Sequence, residues 1–273
     1  MMALLKSDLH RTLHARWSWV VLALVALATL GSVVLTIWWP LEPGVVYDGL
    51  TGRAGALRLA GRGASIALVS TIAPFVAAHL SCADSDSGFD RTLLSSMRGR
   101  VAYFAEKYLL TVTLSGTLLL AYLVFSGLGV LVTLRSVENV EPFWQVAAWA
   151  GEGWLAACVY ALVVLLVGQL TRSRAIAFIV AFLLLSGAVE QGFFSFLLLV
   201  SNAFGLDWGP ALEAALAWAP YVTMAAVGNG AADMLAVDAT GFAPAVRALI
   251  VGVPLCLACG TLGILAGTRR DVA

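Results

Sequence analysis

Residues 17–39 read WSWVVLALVALATLGSVVLTIWW, an apolar run that contains no charged side chain. An α-helix rises about 1.5 Å per residue, so about 20 apolar residues cross the roughly 30 Å hydrocarbon core of a bilayer. Five more long apolar runs follow, at residues 63–81, 108–133, 145–170, 175–199 and 245–267. Together these runs predict a membrane protein with six transmembrane helices in a single domain, residues 1–273.

Composition excludes a water-soluble fold. Hydrophobic residues make up 61% of the chain, charged residues only 12%, and the mean hydropathy is +0.93. A soluble domain needs a far more polar surface than this. The runs also lack the alternation of polar and apolar residues over about ten positions that marks a transmembrane barrel strand, so the predicted class is all-α and polytopic.

Lysine and arginine are distributed unevenly between the two sides that six spans would create. With the N-terminus in the cytoplasm, most of the sixteen bases lie on that side. They are Lys6, Arg11, Arg16, Arg91, Arg98, Arg100, Lys107, Arg172, Arg174, Arg269 and Arg270. The positive-inside rule therefore predicts the cell membrane as location, with both termini cytoplasmic, although Arg53, Arg58 and Arg62 oppose the trend.

The N-terminal residues 4–16 have the pattern of an amphipathic interface helix. Leu5, Leu9, Leu13 and Trp17 recur every four residues and predict one apolar face, while most of the basic side chains fall elsewhere. Such a helix lies in the headgroup region of the bilayer. A basic flank that merely orients the first span is an equally good interpretation.

Residues 84–107, between the second and third runs, form the most informative polar segment. Acidic side chains lead and basic side chains follow. Asp90 suits the start of a short helix and Gly99 its end, because carboxylates stabilise N-terminal amides and glycine terminates helices. The segment therefore predicts a short amphipathic coupling helix at the cytoplasmic mouth of the bundle, suited to docking a soluble partner.

This segment resembles the coupling segment of ABC-2 type exporter permease subunits. In that family an acid is followed by a glycine, a base, a leucine pair, a second base and a lysine that enters the third span. This chain has Asp84, Gly88, Arg91, Leu93, Leu94, Arg100 and Lys107 at those places. It departs from the family by carrying Asp84 where glutamate is usual and Phe89 where a small or β-branched residue is usual. A basic loop of some other six-helix protein is the alternative.

The resemblance implies partners as well as architecture. A separate ABC ATPase, which carries ATP and Mg²⁺, would dock on Asp84, Asp86, Gly88, Asp90, Arg91, Leu93, Leu94, Arg98, Arg100 and Lys107. A second permease chain, identical or different, would complete the exporter, whose cargo could be a peptide, a drug or a lipid-like molecule. The family also has short helices at its outer exit, which matches the glycine- and proline-containing segment 200–244; a packed linker is the other interpretation.

The sequence lacks the motifs of an energy-coupling or catalytic domain. A P-loop needs a Gly-Lys pair, and neither Lys6 nor Lys107 follows a glycine. There is no HExxH motif and no Gly-x-Ser-x-Gly motif, and the only histidine within a predicted span is His79. The chain is therefore expected to be a transporter subunit without catalytic residues, metal ligands or a cofactor of its own.

Glu190 is interpreted as the only acid well inside a span. It lies sixteen residues beyond Arg174, about 24 Å along a helix axis, which places it in the outer third of the membrane. Carboxylates within the membrane are expensive and commonly functional, so Glu190 and Gln191 are candidates for the substrate path. Alternatively, the fifth helix ends near Gly192 and Glu190 reaches interfacial water.

Two other functional classes stay open. An ion- or proton-coupled secondary transporter should show two similar halves and interrupted helices near the midplane, and no internal repeat is evident. A membrane assembly or immunity protein that only binds partners is the other class. Small residues in the sixth run, including Gly252, Gly260, Gly263 and Gly267, predict close helix packing under every interpretation.

Overall fold

A computed structural model describes residues 2–38, 67–86, 100–133, 142–206, 208–226, 237 and 240–269. These residues form ten helices and no strand, which confirms the predicted all-α class. The helices are α1 (Met2–His14), α2 (Arg16–Trp38), α3 (Ala67–Asp86), α4 (Arg100–Thr133), α5 (Phe143–Thr171), α6 (Arg174–Leu185), α7 (Ala188–Ala203), α8 (Gly209–Leu216), α9 (Pro220–Ala225) and α10 (Pro244–Arg269).

Four helices are long and apolar enough to cross a membrane. The qualifying segments are Arg16–Val34, Val101–Gly129, Phe143–Thr171 and Pro244–Gly267, in α2, α4, α5 and α10. The bent pair α6 and α7 makes a fifth candidate if it counts as one span. The protein is therefore a multi-pass membrane protein with four to five candidate spans among its described residues.

The second and third predicted spans differ from the helices at their edges. The apolar part of α3, Leu68–Cys82, is too short to count as a span by length, and residues 63–66 of the predicted run lie outside the described residues. In contrast, α4 begins at Arg100, eight residues before the predicted start at position 108. Its 34 residues measure about 51 Å, so α4 extends well beyond a 30 Å hydrocarbon layer.

The fifth predicted span, residues 175–199, is not one helix. It consists of α6 and α7, which meet at an angle of 60°. Gly187 at the junction has φ +64°, a left-handed conformation that glycine adopts without steric strain. The Ser186 hydroxyl accepts a hydrogen bond from the Ala188 N–H at 3.3 Å, which closes the turn. Hydropathy alone did not reveal this break, because both halves are apolar.

The centre of the bundle is α5, which packs against α3, α4, α6 and α10. In α5, 61% of the spanning window is buried, compared with 17% in α2. The main core joins Trp149 and Leu165 of α5 to Val69 of α3 and Leu110 of α4. The remaining spans therefore keep one broad apolar face outward, as expected of helices that contact lipid.

Glycines allow α10 to approach its neighbours closely, as the sequence predicted. A Cβ atom on Gly263 would collide with the ring of Tyr108 in α4, and one on Gly252 would lie 2.9 Å from Leu155 Cδ2 in α5. Gly260, however, has open space where a Cβ would be. The packing face of α10 thus includes Gly252 and Gly263 but not Gly260.

Candidate functional site

Several helix ends meet at one end of the bundle, which we call the basic end because Arg11, Lys107, Arg172 and Arg174 belong to it. Here Lys107 of α4 contacts Asp8 of α1, and the rings of Trp17 in α2 and His79 in α3 lie 4.8 Å apart. Tyr108 of α4 also donates a hydrogen bond of 3.3 Å to Gln169 of α5. The end of α3 and the start of α4 are therefore gathered together beside α1.

The predicted docking residues fall partly within this region. Asp84 and Asp86 lie in the last turn of α3, and Arg100 is the first residue of α4. The short coupling helix predicted between Asp90 and Gly99 lies outside the described residues, as do Gly88, Asp90, Arg91, Leu93, Leu94 and Arg98. The structure thus describes both flanks of the predicted docking segment.

Lys107 occupies a buried position. Its ammonium forms an ion pair with the Asp8 carboxylate, and its side chain is only 7% exposed. It also lies 5.4 Å from the centre of the Tyr103 ring, at cation–π distance. Arg11 makes a second, longer contact of 3.5 Å with Asp8. Because Lys107 is turned toward α1, any part that it plays in docking would act through the position of α1.

The buried face of α1 differs from the predicted one. Leu5 and Leu9 pack against the core as expected, but Leu13 is 48% exposed. The most buried side chains of α1 include Asp8 and Thr12 instead. The contact of Asp8 with Lys107 rotates α1 toward α4, so that the leucine stripe lies only partly on the bundle. A stripe of leucines could not predict this rotation, since it does not show where a partner for Asp8 lies.

Asp8 was missed as a site residue by reasoning from the sequence. It is the only acidic residue in α1, surrounded by Lys6, His10, Arg11 and His14. A lone acid in a basic amphipathic helix, together with a lysine near the start of a long apolar helix, was the available signal. It pointed to a pair because buried charges need partners.

At the opposite end of the bundle, Glu190 holds the start of α9. Its carboxylate accepts a hydrogen bond of 2.8 Å from the backbone N–H of Tyr221. Since the first amides of a helix have no partner within the helix, this contact caps α9. The Tyr221 ring lies against Gly187, where a Cβ would be 2.6 Å from its Cε1 atom. One tyrosine therefore joins α9 to the bend between α6 and α7.

The candidate path residues take up different environments. Glu190 is half-buried and engaged with Tyr221, whereas the adjacent Gln191 is exposed. The short helices predicted in the outer segment are present as α8 and α9. Arg247 at the start of α10 is 5% exposed and donates a hydrogen bond of 3.1 Å to the Ala217 carbonyl at the end of α8. These contacts attach the outer helices to the bundle.

Glu152 corrects the interpretation that Glu190 is the only acid well inside a span. Glu152 lies nine residues into α5, about 13 Å from its start at Phe143, and is only 6% exposed. Its Oε2 atom has no hydrogen-bond partner among the described residues. Glu152 lies near the edge of the predicted run 145–170, where hydropathy does not distinguish a buried carboxylate from an exposed one.

The described residues contain no group of three or more His, Cys, Asp or Glu side chains arranged to hold a metal ion. In comparisons with known proteins, no family model and no curated sequence matches the chain.

Proposed function

We propose that the chain is the membrane-spanning permease subunit of an ABC exporter, driven by a separate ATPase that docks at the basic end. The order of residues from Asp84 to Lys107 carries this proposal, because it follows the coupling segment of ABC-2 type permeases. In this proposal six passes bring both termini to the cytoplasm. The short helix α3 makes the second pass, returning from the outer side toward the basic end.

The course of the chain supports six passes. The last turns of α3 lie beside the start of α2, through the Trp17–His79 contact, while α4 begins beside α1, through Lys107 and Asp8. Since the end of α3 lies beside the start of α2, α3 must run back toward the basic end, although its apolar part is short. A short span can be accommodated by local thinning of the bilayer and by polar residues at its ends.

In the proposed mechanism, ATP-driven closure of two ATPase subunits pushes the docking segment of each of two permease chains. The segment is continuous with α3 and α4, so its movement reaches both helices. Because Lys107 of α4 forms an ion pair with Asp8, movement of α4 would also move α1. Displacement of this group relative to α5 would open the path outward, and α8 and α9 would cover its exit until the outer end moves.

The docking assignment is tested by reversing charge. Arg91→Glu and Arg100→Glu should each abolish recovery of an ATPase with the tagged chain from native membranes. Arg135→Glu should not, because Arg135 follows the third predicted span and so lies on the outer side when the N-terminus is cytoplasmic. Circular dichroism and gel filtration check that the bundle still folds. Unchanged ATPase recovery with both docking variants, or recovery of no ATPase with the unaltered chain, would contradict the proposal.

A secondary transporter is the second candidate, and one structural feature favours it. The break at Gly187 lies thirteen residues beyond Arg174, about 20 Å along a helix axis, so it falls within a 30 Å layer on the outer side of its midplane. Interrupted helices near the midplane form ion and substrate sites in such transporters. Transport by the purified chain alone in proteoliposomes, driven by an ion gradient without ATPase, would favour this class.

A further inference from the structure

An apolar groove opens beside the turn that joins α1 to α2. It holds about 130 Å³ and is lined by Leu13, Trp17 and Val21, by Val76 of α3, and by Leu114 and Leu118 of α4. All of these are described side chains, and they come from four helices. The groove is therefore a feature of the packed bundle near its basic end, not of one helix.

The size and lining of the groove restrict what can fill it. An engineered apolar cavity of about 150 Å³ stays dry and binds benzene, so a groove of 130 Å³ suits about six carbon atoms of a hydrocarbon. Beyond the groove, the outward face of α2 continues with Leu24 and Leu27, which are 52% and 79% exposed. A linear chain could start in the groove and continue along this face, whereas a bulky polycyclic molecule would not fit.

The residues next to one part of the groove lining in the sequence are basic. Leu13 and Trp17, which line it, bracket His14 and Arg16 in the sequence, and both of these side chains are exposed. Arg16 makes no ion pair within the described part of the chain. The only nearby acid of α1, Asp8, is already engaged by Lys107 and Arg11. Arg16 thus adds a positive charge without an ion-pair partner among the described residues, directly before the groove-lining Trp17 in the sequence.

From this geometry we infer that the groove binds one acyl chain of an anionic phospholipid, whose phosphate lies at Arg16 and His14. An acyl chain matches the apolar groove, and a phosphate matches the two basic side chains. Trp19, which also lines the groove and is 63% exposed, lies where tryptophan commonly meets lipid headgroups. The bound lipid would fill the angle between α1 and the bundle, and so hold α1 against α4.

Native mass spectrometry of the purified full-length chain tests this site, with dioleoyl phosphatidylglycerol and dioleoyl phosphatidylcholine as the two probes. The unaltered chain should retain one phosphatidylglycerol in preference to phosphatidylcholine. Arg16→Gln should weaken phosphatidylglycerol retention about fivefold, as expected for one basic group near a membrane surface, and leave phosphatidylcholine unchanged. Arg172→Gln, an exposed arginine at the same end, is the matched control and should have no effect.

Filling the groove tests the acyl chain separately. Thr117 of α4 also lines the groove, so Thr117→Trp and Val21→Trp each place a large ring in it and should abolish retention of both lipids. Leu27→Trp adds the same ring to the exposed face of α2 and should leave retention unchanged. Full retention by both filled variants, equal loss in Leu27→Trp, or equal retention of the two lipids by the unaltered chain would each overturn the proposal. Gel filtration and circular dichroism check that the tryptophan variants fold. Arg16→Gln changes only an exposed side chain, so its result does not depend on how the bundle tolerates a filled groove.

Discussion

At the residue scale, the buried pair of Asp8 and Lys107 determines how α1 sits. Two charges in a poorly hydrated position stabilise each other only while both are present. Their sequence separation of 99 residues means that one interaction connects the N-terminal helix to the helix that follows the predicted docking segment. The pair thus stabilises the fold and holds α1 against α4.

Replacing one member of the pair should be strongly destabilising. Lys107→Met leaves the Asp8 carboxylate with Arg11 at 3.5 Å as its only cation among the described residues, and should lower the free energy of unfolding by about 3–5 kcal/mol. Lys6→Met, the same change at an exposed position of α1, should alter it by less than about 0.5 kcal/mol. The double variant Asp8→Asn with Lys107→Met should recover most of the loss. Denaturation in detergent micelles measures all three, and equal effects at positions 6 and 107 would contradict the pair's role.

Two substitutions of Glu190 distinguish a structural role of this residue from a role in transport. Glu190→Gln keeps a side-chain oxygen that accepts from the Tyr221 N–H, so α9 should remain protected, whereas Glu190→Ala should raise amide hydrogen exchange in α9 several-fold. If export is unaffected by Glu190→Gln, the carboxylate serves as a helix cap. Loss of export with α9 still protected would show that its charge contributes to the path.

At the element scale, the contact between α4 and α10 relies on particular glycines, Gly263 against Tyr108 and Gly267 against Phe104, rather than on glycine content. Tyr108 lies over Gly263 of α10, and no atom lies within 4 Å of the place where a Cβ on Gly260 would be. The two positions are three residues apart in the same helix, which makes them a matched pair for substitution. Because alanine has the same helix propensity at both positions, the difference in stability between the two alanine variants reports packing alone.

Gly263→Ala should therefore destabilise the bundle by about 1–3 kcal/mol, because the added methyl group overpacks the contact with Tyr108. Gly260→Ala should instead be neutral or stabilise by up to about 1 kcal/mol, since alanine has the higher helix propensity and open space is available. Thermal unfolding in micelles gives both values. Stabilisation by both substitutions would mean that α4 and α10 pack less closely than this structure shows.

At the scale of the whole molecule, contacts near the helix ends show which ends lie together. The α5 end at Gln169 and the α10 residue Gly263 both reach Tyr108, and Tyr108 follows Lys107 at the basic end. In contrast, Glu190 and Arg247 contact α9 and α8 at the opposite end. Successive spans therefore alternate in direction along the chain, and packed neighbours such as α3 and α5, α2 and α4, and α5 and α10 run parallel.

Side-specific labelling checks this arrangement in intact cells. Cysteines placed at Lys6 and Arg172, in a background without the four native cysteines, should react with a membrane-impermeant maleimide only after permeabilisation. A cysteine at Asn202 should react without it. The first two positions are predicted on the same side, because an even number of passes separates them. Labelling of only one of them before permeabilisation would rule out six passes in the proposed orientation.

The sequence by itself determined that this chain is an all-α protein of membrane-spanning helices, because hydropathy is a local property summed over about 20 residues. It also predicted close packing at Gly252 and Gly263 of α10, although Gly260 faces open space, and it offered short outer helices as one of two interpretations of residues 200–244. Tertiary structure decided the rotation of α1 onto Lys107, the 60° bend at Gly187 and the burial of Glu152. Each of these depends on a partner distant in sequence, or on the backbone angle of one residue. A distant contact or a single backbone angle leaves the hydropathy of an apolar run unchanged, so hydropathy could not predict these features.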